Sequence, residues 1–98
     1  MLTADMDSFT HRGTGRLKTP SGPEDVTYVL TVTLSQTVMD GYGHVQSKGI
    51  PFSEILSRGA PLDLQLKPGG SIQILLTSTA GERAVFGTMG PLPDWLFR

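Results

Sequence analysis

From Val26 to Val38 the chain alternates, with Val26, Tyr28, Leu30, Val32, Leu34 and Val38 on one parity and Thr27, Thr31, Thr33, Ser35 and Thr37 on the other. Only Gln36 interrupts the apolar row and only Val29 the polar one, and the segment contains no Gly or Pro. Period two in β-branched and aromatic residues predicts a long strand with one face in a core. At about 3.3 Å per residue it would reach roughly 43 Å, whereas a chain of this length packs to a radius of gyration of about 13 Å. The strand must therefore coil, tilt or bulge, which predicts a strongly curved sheet or a small closed barrel.

The same parity marks residues 12–18, with Arg12, Thr14, Arg16 and Lys18 on one side and Gly13, Gly15 and Leu17 on the other. Glycines on the inward side would let this strand bend or approach a neighbour closely. Pro20, Ser21, Gly22 and Pro23 make a loop, so 12–18 and 26–38 are expected to pair antiparallel. Residues 1–11 show no periodicity and read as a flexible leader from which Phe9 touches the body.

After the long strand, Asp40-Gly41 is a hairpin signal because both residues tolerate positive φ. A turn there places Val45, Ser47 and Gly49 of a strand at 44–50 on the face of Leu34 and Val38, so that small residues oppose large ones. His44, Gln46 and Lys48 then point to water, and Pro51 ends the strand because it has no amide hydrogen. Phe52, Ile55 and Leu56 have helical spacing, with Ser53 placed to cap and Gly59 to stop. At most one short helix near 52–58 is expected, or else an irregular connection whose apolar residues plug one end of the barrel.

Leu62, Leu64 and Leu66 predict a strand at 62–66, and Lys67-Pro68-Gly69-Gly70 reverses the chain into a strand at 71–79. A three-residue loop from Pro68 to Gly70 would set Leu66 beside Ile72, Leu64 beside Ile74 and Leu62 beside Leu76, with Gly70 left-handed. A one-residue slip would instead expose an apolar row at about 1.5–3 kcal/mol per side chain, so burial selects the three-residue loop. The last hairpin turns around Ala80-Gly81 into a strand at 83–89, bringing Leu76 opposite Val85, Ile74 opposite Gly87 and Ile72 opposite Met89. That register leaves Leu75 beside Phe86 on the outer face, where Val29 also points. The expected fold is thus all-β, a single small domain over 12–98 with a mainly antiparallel six-stranded barrel or barrel-like sandwich and an apolar C-terminal tail over 90–98.

Composition narrows the function classes. The 98 residues suit one domain, and 12 Gly and 7 Pro suit many reversals. No Cys is present, which removes disulfides, thiolate metal sites and thiol nucleophiles, and tilts the expectation toward a reducing compartment, the cytoplasm. Met1 to Thr10 has Asp5 and Asp7 but no cationic start and no apolar run, so neither a secretory signal nor a membrane span is expected. A formal net charge of −1 argues against a domain built wholly around phosphate neutralisation, while leaving room for a local patch.

The chemistry-bearing residue types do not assemble into a motif. Gly13-Thr14-Gly15-Arg16 lacks the third glycine, the lysine and the helix of a phosphate loop, and reads as a bent strand. Asp5, Asp7 and His11, or Asp40 and His44, could be combined into a metal site, but they read as surface residues in a leader and beside a turn. There is no Gly-x-Ser-x-Gly elbow. No catalytic residue, metal or cofactor is expected, and an enzyme would need carboxylates or histidines gathered by the fold.

Two surfaces remain. The outer Val29, Leu75 and Phe86 with the tail residues Trp95, Leu96 and Phe97 are the protein-contact candidates: the tail folds back over its own outer face, or it meets another subunit or protein. The expected function is therefore a non-enzymatic binding or assembly module acting through protein contacts, self-association included. The alternative is a single-stranded nucleic-acid binder using the row Arg12, Arg16 and Lys18, whose bland counterpart is a solvated face that guards an edge strand.

Overall fold

A computed structural model describes residues 7–35 and 39–97. Six antiparallel strands, β1 (Asp7–Thr19), β2 (Gly22–Leu34), β3 (Met39–Gln46), β4 (Leu62–Leu66), β5 (Ser71–Ala80) and β6 (Arg83–Met89), close into a barrel in the order β1-β2-β3-β6-β5-β4. One helix, α1 (Phe52–Arg58), joins β3 to β4, and a single 3-10 turn, Asp94–Phe97, ends the described chain. The all-β barrel read from the alternation of β2 is the fold that forms. Val26, Tyr28, Leu30 and Val32 are buried, Thr27 is exposed, and Val29, Thr31 and Thr33 are half-buried. Burial pushes the Tyr28 phenol above its ordinary pKa. Val38, assigned inward from the sequence, lies outside the described residues.

The ring order dictates how the barrel ends are closed. β3 and β4 stand three strands apart in the ring of six, so the chain between them must cross one mouth. α1 lies on that crossing and delivers Phe52 and Ile55 to the core. It is ended by Gly59 at φ 67°, but Ser53 does not cap it; Pro51 occupies the N-cap without a side-chain hydrogen bond. β6 is likewise opposite β1, and the chain after Met89 crosses the other mouth, burying Leu92 and Leu96. That crossing fills a gap, because β1 pairs with β4 only over Gly15–Lys18 while Asp7–Thr14 runs on past the end of β4.

Several sequence expectations are corrected here. β1 begins at Asp7, so Asp7–His11 are strand residues paired with Leu34–Leu30 rather than part of a leader; residues 1–6 lie outside the described residues. Asp40-Gly41 lie within β3, which starts at Met39 and pairs with β2 from Leu34 onward, and β3 ends at Gln46, well before Pro51. Neither Gly41 nor Gly43 has positive φ. These glycines serve close approach instead: a Cβ on Gly43 would overlap the Val29 carbonyl oxygen. Gly15 plays the same part on β1, where a Cβ would sit 2.5 Å from the Gln65 carbonyl oxygen. Parity survives the displaced turn, so Val45 is buried and faces Tyr28.

The β4–β5 leucines and isoleucines share a face as expected, but two residues out of the expected register: Leu62 pairs with Ile74 and Leu64 with Ile72. Leu66 and Gly70 close a three-residue loop through a 2.9 Å hydrogen bond, with Gly70 at φ 85°. The larger correction lies in β5–β6. The hairpin sets Ala80 opposite Arg83 and Ser78 opposite Val85, then a bulge between Leu76 and Ser78 shifts the pairing so that Leu76 faces Phe86. Thr77 is the extra residue, and its hydroxyl donates to the Val85 carbonyl at 3.3 Å. The bulge turns Phe86 and Ala84 into the core and Val85 outward. A regular ladder could bury the Leu76 row only with Val85 and Gly87, losing the larger ring.

Two substitution pairs test this packing. Leu30→Asp places an unpaired charge at a fully buried position and should abolish folding, whereas Thr31→Asp should fold with a circular dichroism spectrum like the parent's. Gly43→Ala should cost about 1–3 kcal/mol in urea unfolding through overpacking. Gly49→Ala, whose Cβ meets only Glu24 Oε1 at 3.8 Å, should stay within about 0.5 kcal/mol. Equal losses in either pair would contradict the assigned faces.

Candidate binding face on the outer barrel surface

Cross-strand partners in an antiparallel sheet share a face, so the registers define rows of outward side chains. The first row runs Thr14, Thr27, Gln46 and Arg83; the second Arg12, Val29, His44 and Val85; the third Thr10, Thr31, Tyr42, Gly87 and Leu75. β1 contributes Arg12, Arg16 and Lys18 to this surface, all exposed as the alternation predicts. Arg16 pairs with Asp25 at 3.3 Å, but both side chains are largely solvated, so the pair contributes little. Lys18 stands across from Asp63 on β4. Among the described residues, no ion pair engages Arg12 or Arg83.

Beyond the first row the outer face dips into an open groove of about 710 Å³ that crosses β4, β1, β2 and the end of β3. Arg16, Lys48 and Lys67 border it with one carboxylate, Asp25, and Thr14, Thr27, Gln46 and Gln65 add hydroxyls and amides. Lys67 is held there by its own backbone, whose N–H donates to the Thr14 carbonyl at 3.3 Å. Arg12, Arg16, Lys18, Lys48, Lys67 and Arg83 thus gather six of the chain's eight cations on these strands and their ends. The same strands and ends also carry Asp7, Glu24, Asp25, Asp40, Asp63 and Glu82, so the excess of cations is local to the border of the groove.

His44 reports the resulting field. Its pKa lies below the ordinary 6.5, first because partial burial disfavours the charged ring and then because Arg83 and Arg12 repel it. Tyr42, next outward on β3, is 59% exposed. Sequence reading passed over Tyr42 because Gly41 and Gly43 made residues 40–43 resemble a turn; the alternation of Tyr42, His44 and Gln46 with Gly41, Gly43 and Val45 carries the signal once those glycines are read as strand residues. Asp40 is also on β3, where its carboxylate accepts the Gly41 N–H at 2.8 Å. Among the described residues no three His, Asp or Glu side chains lie together as a metal-binding group, and Asp5 lies outside them.

The protein-contact residues expected from the sequence are divided by the fold. Val29 and Leu75 do reach the outer face, in the second and third rows. Phe86 does not; it is a core residue because of the bulge. Trp95, Leu96 and Phe97 pack against their own chain at a barrel mouth, not over the outer face beside Leu75. There Trp95 Nε1 donates to the Gly69 carbonyl at 2.9 Å, and His11 Nε2 donates to the Leu96 carbonyl at 2.7 Å. The His11 and Trp95 rings meet edge to face at 5.3 Å, and those of Phe9 and Phe97 at 6.3 Å. Phe9 touches the body as expected, and Leu96 has no exposed surface left for a partner. No described helix is long and apolar enough to cross a membrane. Comparison with protein-family models, curated proteins and solved structures found no match to this chain.

The electrostatics of this face set a pH dependence. Because folding lowers the His44 pKa, the unfolded chain binds more protons as pH falls through 6.5, so the stabilisation tied to neutral His44 is complete above that value and is lost below it. An NMR titration should give His44 a midpoint below 6.5 that moves upward when Arg12 and Arg83 are both changed to Gln. An unmoved midpoint would show that the two arginines do not act on this ring.

Proposed function

We propose that this barrel is a non-enzymatic binding module that takes single-stranded nucleic acid along the outer face of β1, β2 and β3. The observation that supports it most is the groove, where Arg16, Lys48 and Lys67 meet polar side chains and only one carboxylate. Small barrels bind single strands by combining a cationic track for phosphates with aromatic platforms for bases. Arg12 and Arg83 extend the track from the groove, and Tyr42 supplies an exposed ring at its far end. Hydroxyl and amide side chains along the way offer hydrogen bonds to sugar, phosphate and base edges.

Protein contact is the second reading, and the exposure of Met39, Tyr42, Val85 and Met89 favours it. Its surface would be this outer face rather than the C-terminal tail, with a second copy of the chain among the partners. Sedimentation would support it by showing an oligomer that Tyr42→Ser disperses.

Fluorescence anisotropy with a labelled single-stranded oligonucleotide separates the two. Contact with about three phosphates predicts a loss of affinity of about 20-fold between 50 and 200 mM salt, and each Arg→Gln change at Arg12 or Arg83 should flatten the log–log slope by about 0.7. Absence of binding at low salt, or a slope indifferent to both substitutions, would end the nucleic-acid proposal.

A further inference from the structure

Gly87 is the only position in the third outer row without a side chain, and its neighbours make it a floor. Tyr42 and Leu75 stand directly across from it on β3 and β5. Val85 and Met89 precede and follow it by two residues on the same face of β6, 41% and 40% exposed. A Cβ placed on Gly87 would meet nothing within 4 Å, so the space above it is open. Tyr42 and Leu75 are two strand spacings apart, about 9.6 Å. A flat ring held between two walls at carbon contact distances of about 3.5–4.0 Å needs about 7–8 Å. Any larger residue at Gly87 would occupy that room.

We propose that the slot floored by Gly87 receives one base of the bound strand, stacked on Tyr42 with Leu75 as the opposite wall. This rests on the nucleic-acid reading above and gives it a base-binding subsite that the cations alone do not provide. Phosphate on the groove side of the seated base finds the Arg83 guanidinium, while Asp40 lies beyond Tyr42 on the other side. His44 lies two residues along β3 from Tyr42, next to Val85, and Arg83 lies four residues along β6 from Gly87. The four apolar walls exclude water from the base faces while the strand's charged backbone stays on the solvated cationic rows. A purely electrostatic site would have no use for an exposed tyrosine beside an open glycine.

Stacking makes the slot distinguishable from the charged track. An oligonucleotide and an inorganic polyphosphate of matched charge both engage the cations, but only the first carries bases. In competition anisotropy at low salt, the parent protein should hold the oligonucleotide about tenfold more tightly than the polyphosphate. Tyr42→Ala removes the platform and Gly87→Leu fills the space, and each should bring the oligonucleotide down to the polyphosphate level while polyphosphate binding stays unchanged. Both positions are on the surface, and an unchanged thermal midpoint identifies a folded variant. If both variants bind the oligonucleotide like the parent, the slot is overturned while the cationic track stands. If neither polymer binds the parent, the track and the slot fall together. An acidic peptide bearing phenylalanines that binds more tightly than the oligonucleotide, and loses this in both variants, would assign the slot to a protein and overturn the proposal.

Discussion

Burial of alternate side chains along β2 is the constraint from which the rest of the barrel follows. Val26, Tyr28, Leu30 and Val32 must leave water together, which fixes their strand partners' inward positions: Gly15, Gly13, His11 and Phe9 on β1, Val45, Gly43 and Gly41 on β3. Each of the four thus faces a glycine on one neighbour: Val26 and Tyr28 on β1, Leu30 and Val32 on β3. That complement lets the sheet curl tightly enough to close, and it commits Arg12, Thr14 and Arg16 on one side and Tyr42, His44 and Gln46 on the other to the outside. The core and the outer face that carries these side chains are two consequences of one alternation.

Closure in the order β1-β2-β3-β6-β5-β4 leaves two connections that must pass over the barrel ends. Both use apolar residues to do so, Phe52 and Ile55 at one mouth and Leu92 and Leu96 at the other. The C-terminal aromatics are therefore part of the domain's closure. Their hydrogen bonds to the β4–β5 turn and from His11 hold them where β1 outruns β4. With both mouths filled by apolar residues, the cations and the exposed Tyr42 ring stand on the outer sheet surface.

The sequence carried the parts of this that depend on alternation alone. The inward and outward sets of β1 and β2, the extents of β4 and β6 and the short helix near 52–58 were legible because each is a local periodicity bounded by Gly or Pro. The misplacements arose where a residue type has two uses. Asp40-Gly41 is as good a turn as a dipeptide can be, yet the contact of Gly43 with Val29 is a tertiary requirement that no local pattern reveals. Thr77 is harder still: the bulge breaks the alternation of β5 within Thr77, Ser78 and Thr79, where no apolar side chain marks the parity, so Phe86 and Val85 exchange sides without any local sign. The candidate site was half legible for the same reason. Arg12, Arg16 and Lys18 were placed on the correct face, while Tyr42 was lost in the presumed turn and Arg83, Lys48 and Lys67 join the row only through the ring order.

In the proposed function the ligand is engaged from outside, on the cationic, partly apolar outer face, without the barrel opening. Backbone amide chemical-shift mapping during titration with a single-stranded oligonucleotide tests this most directly. The shifts should concentrate on the outer-facing strand positions, Arg12, Thr14 and Arg16 on β1, Thr27 and Thr31 on β2, and Tyr42, His44 and Gln46 on β3, with Leu92 and Leu96 unmoved. Shifts centred on the C-terminal turn and α1, or a spectrum that does not change at all, would contradict it.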